Sequence, residues 1–79
     1  MFSIQKFREA LKVFVDSVGE MPQQVHLSEA QIIDLVNESR RAEGLPPVYH
    51  QLPSHMQVDN IAVIKCDTTG PHFVVFEQV

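Results

Sequence analysis

Asn60-Ile-Ala-Val-Ile-Lys-Cys66, Asp67-Thr-Thr-Gly-Pro71 and His72-Phe-Val-Val-Phe-Glu-Gln-Val79 together decide how this chain is read. Two runs rich in β-branched and aromatic residues flank a Gly-Pro turn, the pattern of an antiparallel hairpin. Because side chains alternate between the faces of a strand, one face collects Ile61, Val63, Phe73 and Val75. The other collects Ala62, Ile64, Cys66, Val74 and Phe76. Both sets are apolar, whereas a hairpin with one wet side alternates apolar with polar. Cover on both sides is therefore expected. The strand pattern runs on to Val79, so a second copy of the chain or a protein partner is expected to complete the sheet.

Working outward, residues 3–18 read as a helix. Ile4, Phe7, Leu11, Phe14, Val15 and Val18 recur at three- and four-residue steps and share one face. Val13, partly off that stripe, hints at wider burial. Ser3 is placed as N-cap, with Phe2 and Phe7 as a hydrophobic staple across it, and Gly19 suits the left-handed residue that ends a helix. A second helix is expected over 29–43. Ser28-Glu-Ala-Gln31 is a capping box, with Leu27 and Ile32 as its staple. Ile32, Leu35 and Val36 form its short apolar face, and Gly44 stops it. Three prolines within residues 45–53 exclude a regular helix from the first half of the following segment. Ser54 to Val58 reads as a helical turn or a short strand, and Gln24-Val-His-Leu27 as locally extended.

The 79 residues make one domain, 1–79, with 44% apolar content, enough for a globular core but close to the lower size limit for one. The expected fold class is α+β: two N-terminal helices packed on a small antiparallel sheet built around the C-terminal hairpin. A single cysteine, Cys66, cannot form an internal disulfide, which points to a reducing compartment. The N-terminus reads as an amphipathic helix, not a signal peptide, and no run approaches the ~18 apolar residues of a membrane helix. A cytoplasmic location without membrane attachment is the resulting expectation. Ten acidic residues outweigh six basic ones for a net charge of −4. The basic residues are scattered among carboxylates, so phosphate neutralisation by Lys and Arg is poorly served and nucleic acid is disfavoured as a partner.

Chemistry-bearing patterns are few. His50, His55, Cys66 and His72 form a loose set without the close ligand pairs of a structural zinc site. Cys66, Asp67 and His72 lack the separate rigid elements that orient a catalytic triad, and no nucleotide-binding or hydrolase motif is present. No catalytic residue, metal or cofactor is therefore assigned, and a non-enzymatic role is expected. Pro46-Pro47-Val48-Tyr49 matches the P-P-x-Y pattern gripped by WW domains, although the prolines have a structural use where a helix turns toward a strand, and Tyr49 is expected to fold back on the core. Arg40 and Arg41 suit the negative end of the second helix or the rim of a contact with an acidic partner.

These features favour a small binding or regulatory protein that acts by protein–protein contact and self-associates as a homodimer. The contact residues assigned to it are Tyr49, Phe73, Val75 and Val79, with Arg40 and Arg41 at the rim. The alternative is a winged-helix DNA-binding regulator, since the order helix, helix, helical turn, hairpin matches that fold in outline. There the segment 45–58 supplies the recognition element and Asp67 to Pro71 the wing tip. Against it stand the prolines, the lack of Lys or Arg in 45–58, and the acidic wing tip.

Residues 28–50, Ser28-Glu-Ala-Gln-Ile-Ile-Asp-Leu-Val-Asn-Glu-Ser-Arg-Arg-Ala-Glu-Gly-Leu-Pro-Pro-Val-Tyr-His50, resemble a segment of small prophage-encoded regulatory proteins. In those proteins an apolar helix runs into an Arg-x-x-x-Gly end followed by a histidine. They continue with a helix rich in basic and aromatic residues, where this chain has Gln51-Leu-Pro-Ser-His-Met56. DNA binding and its residues are therefore not carried over. The resemblance implies a phage-type regulator or inhibitor in preference to a metabolic enzyme.

Overall fold

The helix boundaries follow from local chemistry. In the computed structural model, which describes residues 1–50, 52–53, 55–67 and 70–75, helix α1 spans Ile4–Val18 and helix α2 spans Glu29–Ala42. Ser3 caps α1 by accepting the Lys6 amide at 3.2 Å, and Gly19, at φ +83°, closes the last turn by donating to the Val15 carbonyl at 2.7 Å. The first turn of α1 carries no acidic residue of its own. Its neighbour supplies them: the Phe2 and Ile4 amides donate to Asp34 and Glu38 of α2, both at 3.0 Å. Two carboxylates thus sit where the helix dipole is positive and the amide groups lack partners within the helix, which fixes one helix against the other.

Helix α2 opens on the full capping box. The Gln31 amide donates to Ser28 Oγ at 3.2 Å and the Ser28 amide to Gln31 Oε1 at 3.1 Å. It closes with a Schellman arrangement: Leu45 donates to the Arg40 carbonyl at 2.8 Å and Gly44 to the Arg41 carbonyl at 3.1 Å, with Gly44 left-handed at φ +75°.

Four strands form among the described residues: β1, Gln24–Leu27; β2, Gln57–Val58; β3, Ile61–Lys65; and β4, His72–Val74. Their order across the sheet is β2-β3-β1-β4. The expected hairpin between 60–66 and 72–79 is corrected here. Among the described residues the two runs do not pair with each other, because β1 lies between Ile61–Lys65 and His72–Val74, parallel to β3 and antiparallel to β4. The extended reading of Gln24–Leu27 becomes the central strand, and the sheet is mixed. A parallel pair needs a crossover of a dozen or more residues, and α2 with the segment after it provides one. The true hairpin joins β2 to β3 through a two-residue turn, Asp59 at φ +52° and Asn60 at φ +67°. That is the primed geometry which matches the twist of paired strands, and Asp and Asn tolerate it better than other residues with a Cβ.

The same topology removes the winged-helix order. A strand separates the two helices, no third helix forms among the described residues of 45–58, and the two strands of the would-be wing are not neighbours.

Alternation sorts the sheet into two faces. Val58, Ile61, Val63, Val25, Leu27 and Phe73 join Phe7, Ile32 and Leu35 in one core, flanked by Ile4, Leu11 and Val36. Among the described residues, those of both helices join the core with strand residues of one face, giving two layers. Phe7, Val25 and Leu27 are 0% exposed. The Phe7 and Phe73 rings pack edge to face at 5.6 Å, and Phe14 lies tilted on Phe73 at 5.2 Å. Val13, expected to extend the burial, is exposed. Phe76 lies outside the described residues. Among the described residues neither helix packs on the second face, so cover for that face would have to come from outside the two helices.

Candidate functional surface

The second face is built from two registered rows. Gln57, Ala62, Gln24 and Val74 stand opposite one another across all four strands, and Ile64, His26 and His72 form the next row across three of them. Ala62, Ile64 and Val74 make it partly apolar; two amides and two imidazoles make it partly polar. Neither row contains a charged residue. On the sheet's flank, β4 has β1 as its only strand neighbour among those described. It carries no lysine, no internal proline and no charged side chain, the devices that usually blunt an edge strand. Pro71, directly before it, limits any pairing to His72 and beyond.

Gly70, just before β4, is bonded to α2. The Gln31 side chain accepts the Ser28 amide through Oε1 and donates through Nε2 to the Gly70 carbonyl. Gly70 is required there. A Cβ at that position would stand 2.6 Å from the His72 nitrogen and 3.0 Å from the His26 oxygen, closer than backbone atoms can yield.

A different region surrounds the end of α2. Asn37 pins the backbone of Val48 at both groups, donating Nδ2–H to the Val48 carbonyl and accepting the Val48 amide, each at 2.8 Å. Arg40 Nε donates to the Pro46 carbonyl at 2.6 Å. The P-P-x-Y segment is therefore strapped to the helix by its backbone. Tyr49 does not fold back on the core but stands 70% exposed. Beside the strap, α2 and the described residues between Val48 and Gln57 border an open groove of about 580 Å³ with Leu35, Val36, Leu52 and Met56 on its apolar walls and Arg40 and His55 at its margin.

The residues singled out from the sequence thus fall in two places. Phe73 lies in β4 but turns into the helix layer, against Phe7 and Phe14, so it serves the core and not an outer contact. Val75 follows β4 directly and is half-buried. Tyr49, Arg40 and Arg41 lie around the end of α2, and the groove that includes Arg40 reaches Gln57 of β2, at the opposite flank of the sheet. Val79 lies outside the described residues. The pairing of His72 with His26 in the register was not foreseen; the signal was present in the alternation of β1, where His26 falls between buried Val25 and Leu27.

The loose histidine–cysteine set does not assemble, and no group of three metal-ligating side chains converges among the described residues. Cys66 continues β3, donating its amide to Leu27 at 2.9 Å, while His72 sits in β4 beyond the intervening β1. Two strand spacings amount to about 9–10 Å, too far for a thiol and its base to share a proton directly. Electrostatic perturbation is concentrated at one surface pair. Arg8 Nε and Nη2 meet Asp59 at 3.0 and 3.1 Å; hydrogen bonding to Arg8 holds the Asp59 carboxyl below its ordinary range, and hydrogen bonding to Asp59 raises Arg8. The pair is exposed and ties α1 to the β2–β3 turn, which marks it as a local clamp.

No helix among the described residues is long and apolar enough to cross a membrane. No family model matches the chain, nor does any curated protein or solved structure.

Proposed function

We propose that this protein is a non-enzymatic binding protein that works through protein–protein contact, with a second copy of itself as the first occupant of its free sheet edge. The observation that carries this reading is the unblunted flank of β4, bordered by His72 and Val74 on the uncovered face. An unpaired edge offers a row of amide and carbonyl groups to another strand. Two copies related by a two-fold axis would pair β4 with β4 in antiparallel fashion, an isologous contact that closes on itself. Val75 would extend the ladder, and the uncovered faces would continue from one copy to the next. Arg40 lines a groove that reaches Gln57 of β2, at the opposite flank, and takes no part in that contact.

Sedimentation equilibrium over a wide concentration range tests the proposal. The wild-type chain is expected to approach twice its 9.0 kDa monomer mass, while a Val75→Pro variant, which loses an amide on the side of the strand away from β1 (the Val74 carbonyl faces β1), stays monomeric with its helical circular dichroism retained. A wild-type chain that remains monomeric at the highest concentration overturns the proposal.

A further inference from the structure

We propose that His26 and His72 form a two-imidazole site for a divalent first-row transition-metal ion on the uncovered face of the sheet. The register makes them direct cross-strand partners in the antiparallel β1–β4 pair. Partners of this kind have Cβ atoms about 4.5–5.5 Å apart on the same face, a span that two imidazoles can close around one ion at ~2.0–2.1 Å from each nitrogen. Solvent reaches the pair: His72 is exposed and His26 is half-buried.

The surroundings favour an ion over any other role for the pair. In the two rows of this face the neighbours are Ile64, Val74, Ala62, Gln24 and Gln57. None is a cation that would repel a metal, and none is a carboxylate that would engage an imidazole as an ion pair. The chain's net charge of −4 adds a mild long-range attraction for cations. The Gly70 backbone lies close to the His72 nitrogen and the His26 carbonyl, and the β1–β4 register sets the two histidines opposite each other before the ion arrives.

The ligand count sets the class of ion. With two nitrogens and no third protein ligand among the described residues, water must fill the remaining positions. Such an open site does not suit a structural zinc. It suits ions with high affinity for imidazole, Cu²⁺ and Ni²⁺ foremost in the usual order of stability. Bound there, the ion would clamp the edge strand β4 to the central strand β1.

Untagged protein, titrated with Ni²⁺ and followed by thermal unfolding, provides the test. A rise in the wild-type midpoint is expected, lost in both His26→Gln and His72→Gln and kept in the double variant His50→Gln/His55→Gln. Electron paramagnetic resonance of the Cu²⁺ form gives a second readout that does not depend on stability: two nitrogen ligands in the wild type and one fewer in each single variant. No midpoint shift together with a Cu²⁺ spectrum free of imidazole overturns the site. Binding that survives loss of His26 and His72, and disappears with His50 and His55, overturns it as well.

Discussion

Gln31 shows how one side chain connects local and distant structure. Its oxygen completes the α2 capping box and its amide nitrogen holds the Gly70 carbonyl thirty-nine positions away. The two functions separate by substitution. Gln31→Glu keeps the acceptor for the Ser28 amide and loses the donor to Gly70. Gln31→Ala loses both. Loss of a cap costs about 0.5–2 kcal/mol, so urea denaturation should rank wild type above Glu and Glu above Ala; equal stability of the Glu and Ala variants would mean the cap contributes nothing measurable. Asp59 invites a similar dissection. Its folded carboxyl titrates below the unfolded value of ~3.9, because Arg8 stabilises the charged form. The stabilisation is therefore full above that value and disappears as pH falls through the folded pKa. Asp59→Asn retains a residue that accepts φ +52° and removes only the charge. The stability gap between the two proteins should be small at pH 7, should shrink further in high salt, and should begin to close below about pH 4, disappearing as pH falls through the folded pKa. A gap independent of pH would assign the effect to the turn and not to the ion pair.

At the scale of elements, what could be read from the sequence was whatever local chemistry decides. Both helices were legible from their caps and periodicity, and the division of the later strands into faces was legible from alternation: Ile61, Val63 and Phe73 do share the helix-covered side. Strand pairing was not. Gln24–Leu27 has only two apolar residues, Val25 and Leu27, and its place at the sheet's centre depends on partners some forty to fifty residues later. The Gly-Pro turn between two strand-like runs signals a hairpin equally well whether or not a third strand inserts between them. The β2–β3 turn did carry a local signal, the two-residue Asp59-Asn60 between Val58 and Ile61, which is weaker than Asn-Gly and shares its physics. That the helices cover one side was also legible from their short apolar stripes, and the apolar residues Ala62, Ile64 and Val74 on the other side are what two-sided alternation leads one to expect. Phe73 distinguishes the two faces experimentally. Phe73→Glu places a charge between Phe7 and Phe14 and should abolish cooperative unfolding, since an unpaired buried charge costs several kcal/mol in a domain whose whole stability is of order 5–15 kcal/mol. Ile64→Glu, on the other face and already 37% exposed, should leave the near-ultraviolet signal and the unfolding midpoint nearly intact. The reverse ranking would exchange the two faces.

For the molecule as a whole, the mixed sheet makes folding depend on contacts distant in sequence. β1 has no strand partner until residues 62–65 and 72–74 are present, and the core joins Phe7 of α1 to Ile61 of β3. The two helices do touch directly, through Asp34 and Glu38 at the start of α1. Those bonds lie at the surface or half-buried and are worth roughly 1.5–3 kcal/mol each at best as hydrogen bonds to charged groups. Ordering the backbone costs about 1–2 kcal/mol per residue, so such contacts cannot hold the layer together without the apolar surface of the sheet. A fragment of residues 1–60 should accordingly retain some helical circular dichroism, because both helices carry good caps, and show no cooperative thermal transition. The full chain, in contrast, should unfold in one step, with the amides of Val25 and Leu27 exchanging only through global unfolding and those of the two-residue β2 exchanging through local fraying. Cooperative unfolding of the fragment would show that the helix pair has a core of its own; slow exchange at β2 equal to that at β1 would show that the sheet's flank is as firmly held as its centre.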